Sequence, residues 1–477
     1  MTAPHHFIVP QILRGSPPQG DGGGAPLLPV TLAALLIPGA ATACALPPSV
    51  ILTLPTDLFI AAGAATVAVT AALGALAGRL PPMVPRLVWD RPVLVPRDVT
   101  SLIAFMGFLA LCLVGLTGAR DPMHNLMSLV FWTGVWVALP LTALILGHVW
   151  RPLNPWFAPV RIMRALMGWR GSIGLARAGY WPAVLGQAGF AWFMLVSLRP
   201  EDPAVLAQVA LLYWAAIFVL SVLEGEDWLE RGEFLTVLFG MIARVAPFWL
   251  ETDGRRARLM AGWPGTQVLA MPPLPPSGIA FVTVALGTLT FDGLAETFWW
   301  MALIGENPLE FTGRSAVTGV NTAGLVAAWA LTGATILGAI ALGRAIGGRG
   351  FATGPVMLSF LAIAAGYHAA HYLVTLLTAG QYTLAALNDP LFRGDAYLGL
   401  PPFWVSYGFL ADRGAMIAVY AAQFAAILGA HLLAVVLSLH LVSRAGVTRA
   451  SAHLPMTLLM VGYTMMGLWL LSTARIG

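Results

Sequence analysis

The segment PVMLSFLAIAAGYHAAHYLVTLLTAG, residues 355–380, decides the fold class. It runs for 26 residues without a single Asp, Glu, Lys or Arg. A helix of about 20 apolar residues is long enough to cross the ~30 Å hydrocarbon core of a bilayer. The segment therefore predicts a transmembrane helix. The rest of the chain shows whether further transmembrane helices are expected.

The composition extends this prediction to the whole chain. Of 477 residues, 58% are hydrophobic and only 10% are charged. A soluble domain carries about 25% charged residues. This deficit excludes a soluble multi-domain protein, a disordered chain and a nucleic-acid-binding protein. We expect an all-α integral membrane protein with the lipid bilayer as its main partner.

Ten further apolar segments are long enough to cross a membrane, so the sequence predicts a bundle of about 11 transmembrane helices. They are residues 27–46, 57–78, 101–118, 126–150, 180–198, 203–223, 278–303, 320–343, 414–442 and 454–472.

The domain organisation follows from the same pattern. Residues 1–26 are rich in Pro and Gly and predict a flexible N-terminal segment. Residues 27–46 are either a first helix or a signal-like segment. Residues 27–477 then form a single polytopic membrane domain, in which residues 224–260 are a cytoplasmic or interfacial segment.

Arginine placement predicts the orientation. All 25 basic residues are arginine. If residues 232–250 form a re-entrant or interfacial helix that does not cross, 19 arginines lie on one face and six on the other. The positive-inside rule makes the face with 19 arginines cytoplasmic. We therefore expect a bacterial inner-membrane protein whose C-terminus is periplasmic.

Small residues predict where helices approach each other closely. The pairs Ala334-xxx-Gly338 and Ala339-xxx-Gly343 have the four-residue spacing that places two small side chains on one helix face. We expect both pairs to lie in helix–helix contacts.

Ionisable side chains inside these segments mark the candidate site. FDGLAETFWW places Asp292 and Glu296 four residues apart, and GYHAAHY places His368 and His371 three apart. Each pair shares a helix face. The predicted topology brings all four into the outer half of the membrane, with His431 as the neighbour on the inner side. Such groups are costly in a bilayer and commonly functional.

Two kinds of chemistry fit this set. We predict Asp292, Glu296 and His371 as catalytic groups. We also predict His368, His371, Asp292, Glu296 and His431 as ligands of a divalent metal such as zinc, which would activate a bound water. A structural polar cluster and a proton or ion pathway remain alternatives. No sequence pattern indicates a haem, flavin or nucleotide.

Several stretches resemble one bacterial family of membrane proteins. These stretches are HVWRPLNPWFAP, YWPAVLGQAGFAWFMLV, FDGLAETFWW, AAHYLVTLLTAGQ, LNDPLFRG and LPMTLLMVGYTMMGLWLL. In order and spacing they resemble the fenitrothion hydrolase family, from about Leu54 to the C-terminus. Family positions matching Asp292, His371, Gln381, Asp389, His431 and His440 are alike in residue type.

The resemblance implies hydrolysis of an organophosphate triester at a P–O–aryl bond. Two hypotheses follow. The first is an inner-membrane hydrolase acting on an apolar ester. The second is a permease or ion-coupled transporter that uses the same polar cluster.

Overall fold

The computed structural model describes residues 56–77, 80–311, 313–348, 351–390, 393–401, 404–447 and 449–473, which all belong to one compact unit. The predicted N-terminal segment 1–26 and the first predicted crossing, 27–46, lie outside the described residues.

Helices make up most of the described chain, and three short strands form one sheet. The helices are α1 Thr56–Leu76, α2 Arg97–Thr117, α3 Leu126–Leu146, α4 Trp150–Leu153, α5 Phe157–Met167, α6 Trp181–Leu195, α7 Pro203–Glu224, α8 Leu229–Gly232, α9 Phe234–Ala243, α10 Pro276–Ala295, α11 Phe298–Leu303, α12 Arg314–Gly347, α13 Thr353–Met357, α14 Phe360–Asn388, α15 Gly408–Ala411, α16 Arg413–Arg444 and α17 Leu454–Ser472; the strands are β1 Arg86–Pro92, β2 Phe248–Thr252 and β3 Arg256–Ala261.

Nine helical stretches of the described chain are long and apolar enough to cross a membrane. They are α1, α2, α3, α7, α10, α12, the α13–α14 stretch, α16 and α17. The predicted all-α, multi-pass membrane class is therefore confirmed. Of the two other predicted crossings, residues 27–46 are not described, and residues 180–198 contain the 15-residue helix α6.

The segment between α7 and α10 differs from its neighbours. Helix α9 has ten residues and is about 15 Å long, half the thickness of the hydrocarbon core. Its length agrees with the prediction that this segment does not cross the membrane. Strands β2 and β3 follow α9 and form a small sheet with β1, which precedes α2; this sheet was not predicted. Strand β3 lies in the centre and pairs antiparallel with both β1 and β2.

The sheet joins two arginine-rich loops at one end of the molecule. Asp90 of β1 accepts a hydrogen bond of 2.8 Å from Arg256 of β3. Residues before α2 and residues after α9 therefore lie together. The predicted orientation likewise puts these two arginine-rich loops on one face of the membrane. The carboxylate of Glu224 adds a second tie at this end, because it binds the backbone of residues 173–176 before α6.

The small-residue prediction is half right. Gly343 lies in a close contact, where an added Cβ would be 3.0 Å from the carbonyl oxygen of Ala452 and 2.9 Å from the ring of Phe351. Ala334 and Gly338 are exposed instead, and an added Cβ at Gly338 would meet nothing within 4 Å. The predicted contact at that pair is wrong because this side of α12 faces outward.

Close packing between α14 and α16 positions the candidate site. Gly366 of α14 lies directly against Ala430 of α16, so that a side chain at Gly366 would overlap its neighbour. Gln423 of α16 then donates a hydrogen bond of 2.8 Å to the carbonyl oxygen of Ala370. These contacts fix the turn of α14 that carries both predicted histidines.

Candidate functional site

Asp292 and His371 meet at the contact between helices α10 and α14. His371 Nε2 lies 3.1 Å from Asp292 Oδ2, and the side chains are only 10% and 15% exposed. The two residues come from different helices, α14 and α10, so the contact depends on the tertiary fold. The structure thus brings together one carboxylate and one imidazole of the predicted catalytic set.

Two tyrosines complete this pair, and sequence reasoning missed both. The hydroxyl of Tyr372 donates a 2.5 Å hydrogen bond to the same Oδ2 atom of Asp292. The ring of Tyr367 stacks on His371 with an interplanar angle of 14°. The hydroxyl of Tyr367 lies directly over Gly293 of α10. Any side chain at position 293 would collide with this hydroxyl, so the glycine allows the tyrosine to lie here. The pattern GYHAAHY contained the signal, since each tyrosine directly neighbours a histidine.

His368 serves a different purpose. Its Nε2 lies 2.9 Å from the carbonyl oxygen of Trp136 and must donate, because a carbonyl only accepts. Pro140 lies four residues beyond Trp136 and has no N–H group. The Trp136 carbonyl therefore lacks its α-helical partner, within a π-helical segment at Val130–Ala138. His368 replaces the missing donor, so this contact is structural.

Glu296 lies at a break in its helix. The predicted crossing 278–303 is two helices, because α10 ends at Ala295 and α11 begins at Phe298. Thr297 between them caps α11 by accepting a hydrogen bond from the backbone N–H of Trp300. Glu296 follows Asp292 by one turn, and its backbone (φ −98°, ψ 1°) is the first to leave the helix.

His431 is the remaining predicted ligand. Its Nδ1 lies 2.8 Å from the carbonyl oxygen of Ile427 one turn earlier on its own helix, so Nδ1 carries the proton. Its Nε2 is buried and has no hydrogen-bond partner among the described residues. His431 is thus not joined to the Asp292–His371 pair by a hydrogen bond.

The predicted zinc site gains no support from these positions. Within the described ranges, no three His, Cys, Asp or Glu side chains are arranged to hold a metal ion. His368 directs one ring nitrogen to Trp136 and His431 directs one to Ile427, whereas His371 faces Asp292. These three histidines therefore do not share a centre that could hold one ion.

A second group of buried carboxylates lies at the arginine-rich end, and it was not predicted. Glu233 is fully buried and accepts four hydrogen bonds, from the backbone N–H groups of Leu235 and Thr236 and from the hydroxyls of Tyr213 and Thr236. It thereby caps α9. The four donors fill the acceptor positions of both oxygens, so this carboxylate has no room for a substrate.

The WRPLNPW motif is attached to the same capping network. The indole N–H of Trp150 and the side-chain amide of Asn154 both donate to the hydroxyl oxygen of Thr236, at 3.0 and 2.9 Å. Asn154 also accepts from the backbone N–H of Trp156. The motif therefore anchors α9 through side chains that are buried at the end of the bundle.

The Asp292–His371 pair has the arrangement needed to move a proton. When His371 Nε2–H donates to Asp292, Nδ1 remains to accept a proton, and the carboxylate stabilises the imidazolium that forms. Tyr372 holds the carboxylate in place. Comparisons of the chain with protein-family profiles, with curated proteins and with solved structures find no match.

Proposed function

We propose that the protein is an inner-membrane hydrolase acting on an apolar ester, with Asp292 and His371 as its acid–base pair. The 3.1 Å contact between His371 Nε2 and Asp292 Oδ2 carries this proposal. The resemblance to the fenitrothion hydrolase family supports an organophosphate-type ester as the substrate class.

In this proposal His371 Nδ1 takes a proton from a water molecule. The water oxygen then forms a bond to the phosphorus, or to the carbonyl carbon of a carboxylic ester. Asp292 stabilises the imidazolium. As the bond to the leaving oxygen breaks, the imidazolium returns its proton to that oxygen. Glu296, one turn further along the chain, is the second candidate acid for this step.

The orientation belongs to the same proposal. Helix α7 ends at the arginine-rich end with Glu224, and Glu224 binds residues 173–176, which precede α6. Helix α6 therefore leads away from this end and α7 returns to it. We count α6 as a crossing for this reason. With residues 27–46 the total is eleven, and the C-terminus is periplasmic. Single cysteines near Arg256 and Arg393 test this: labelling from the periplasm should reach only Arg393.

A permease or proton-coupled transporter is the second candidate. The break between α10 and α11 favours it, because interrupted helices line the binding sites of many transporters. In that case the Asp292–His371 pair carries a proton across part of the membrane and breaks no bond in a substrate.

One set of variants separates the two functions. We expect purified wild-type protein to hydrolyse a diethyl aryl phosphate triester, and Asp292→Asn and His371→Gln each to lower the rate at least about 100-fold. Both variants should melt near the wild-type temperature. His431→Gln is the matched control and should retain activity, because this histidine lies outside the pair.

Other outcomes have clear meanings. No hydrolysis by wild type, with proton uptake into proteoliposomes that Asp292→Asn abolishes, would replace the hydrolase with the transporter. Equal loss of hydrolysis in His431→Gln and a stoichiometric metal by elemental analysis would restore the five-residue zinc site predicted from the sequence.

A further inference from the structure

An apolar cavity of about 560 Å³ lies between α2, α3, α6 and α7, apart from the Asp292–His371 pair. Ligand pockets commonly have volumes of about 300–1,000 Å³. The cavity runs from Met127 and Leu206 at one end to Trp150 and Trp156 at the other. Leu185 on its rim is 74% exposed, and its helix lies among membrane-crossing helices. The cavity therefore opens sideways, towards the bilayer.

Every polar side-chain atom in the wall is bonded to something outside the cavity. The hydroxyl of Tyr213 donates to Glu233 at 2.8 Å. The indole N–H of Trp150 donates to Thr236, and that of Trp156 to the carbonyl oxygen of Trp214. The remaining lining side chains are Ala, Gly, Pro, Val, Leu, Met and Phe. An occupant thus meets an almost wholly apolar surface, which favours hydrocarbon over any ligand that needs hydrogen bonds.

Two glycines keep the cavity open. An added Cβ at Gly107 of α2 or at Gly189 of α6 would meet nothing within 4 Å. Both residues line the cavity. A larger side chain at either position would therefore grow into the cavity without first displacing a neighbour.

Arg151 lies next to the end of the cavity that Trp150 and Trp156 line. Arg151 follows Trp150 and is exposed, and no carboxylate in the described chain lies within 4.0 Å of its guanidinium group. The carbonyl of Arg151 accepts a 3.0 Å hydrogen bond from Arg97, but the guanidinium of Arg97 lies 3.9 Å from the Glu230 carboxylate and adds little free charge. Arginine at a membrane surface attracts the phosphate of anionic lipids.

We infer that this cavity binds one acyl chain of an anionic phospholipid from the arginine-rich side of the membrane, with the lipid phosphate against Arg151. The apolar wall favours a hydrocarbon chain, and the sideways opening admits it from the bilayer. Arg151 supplies the charge that complements the headgroup. The inference does not depend on the proposed hydrolase.

Photo-crosslinking tests it directly. The full chain is reconstituted with phosphatidylglycerol that carries a diazirine midway along one acyl chain, and crosslinked peptides are mapped by mass spectrometry. We expect crosslinks to the lining residues Leu111, Val135 and Phe190. Gly107→Leu and Gly189→Leu should each remove most of them, and Arg151→Gln should lower them about fivefold.

The control is Gly319→Leu in α12, where an added Cβ also meets nothing within 4 Å but the residue is outside the cavity. It should leave the pattern unchanged. Exposed Leu212 reports ordinary bilayer contact in every variant. Two results would overturn the proposal. One is crosslinking only at exposed, bilayer-facing residues such as Leu212. The other is crosslinking to the cavity-lining residues that persists in both Gly107→Leu and Gly189→Leu while both variants melt at the wild-type temperature.

Discussion

The buried carboxylates of the arginine-rich end and the carboxylate of Asp292 are held in different ways. Glu224 and Glu233 are surrounded mainly by backbone N–H groups and hydroxyls, four donors each. Asp292 instead contacts His371 and Tyr372. Backbone N–H groups hold a negative charge in place but are far too weakly acidic to pass a proton to it near neutral pH, whereas an imidazolium can.

This difference separates structural carboxylates from candidate functional ones. A carboxylate whose partners all donate from fixed positions stabilises the fold and is closed to a substrate. One that faces an imidazole can share a proton with it. We therefore expect different effects in the two regions. Variants at Asp292 should affect activity, and variants of the buried carboxylates at the arginine-rich end should affect stability.

Glu233 gives the largest expected effect on stability. Glu233→Ala leaves two buried backbone N–H groups and two hydroxyls without their acceptor, so we expect a loss of about 3 kcal/mol in the free energy of unfolding. Activity per folded molecule should not change. Unfolding in detergent, titrated with a denaturing surfactant, measures this loss.

Glu226→Gln is the matched control, from the same acidic segment. Its carboxylate lies 3.8 and 3.9 Å from Arg161 and Arg164 and is partly exposed, so its loss should cost less than about 1 kcal/mol. If Glu233→Ala unfolded no more easily than Glu226→Gln, the structural assignment of Glu233 would be wrong.

His368 sharpens the comparison within one helix, because it lies one turn from His371. His368→Leu removes the donor to the Trp136 carbonyl, and we expect a loss of about 1–3 kcal/mol in stability with activity retained. His368→Gln keeps an N–H donor and should recover part of the loss. A large loss of activity in a stable His368→Gln protein would instead place His368 in the site.

The sequence predicted the class of fold and a common location for Asp292 and the histidines, both for physical reasons. Apolar length gives membrane helices directly, and isolated charges within them need partners. It did not predict that His368 and His371 face different partners, because that depends on Pro140 freeing a carbonyl on another helix. Nor could the four-residue spacing of Asp292 and Glu296 show that α10 stops at Ala295, before Glu296.

Packing near the arginine-rich end provides the next test. Gly343→Leu must displace the Ala452 backbone or the Phe351 ring, so we expect a loss of about 1–3 kcal/mol in the free energy of unfolding. Gly338→Leu on the same helix meets open space and should have almost no effect. Equal destabilisation by both would mean that the exposed face of α12 is covered, for example by a second copy of the chain.

Asp253 gives the smallest effect and tests the role of backbone donors through pH. Hydrogen bonds from the backbone N–H groups of Arg256 and then Arg255 lower the pKa of Asp253 below its ordinary 3.8. A carboxyl group whose pKa is lower in the folded state stabilises the β2–β3 turn above pH ~3.8, and this contribution is lost as the pH falls through the folded value.

Hydrogen exchange of the 248–261 peptide, corrected for the intrinsic rate at each pH, measures this turn. Wild type should lose protection between pH 5 and pH 3. Asp253→Asn cannot ionise, so its protection should be the same at both values. The effect should be confined to this peptide, because Asp253 is exposed and its backbone hydrogen-bond donors, Arg255 and Arg256, belong to the same turn. If wild type and Asp253→Asn behaved alike at both pH values, backbone donors would not be stabilising this carboxylate, and the distinction drawn from Glu224 and Glu233 would lose its simplest example.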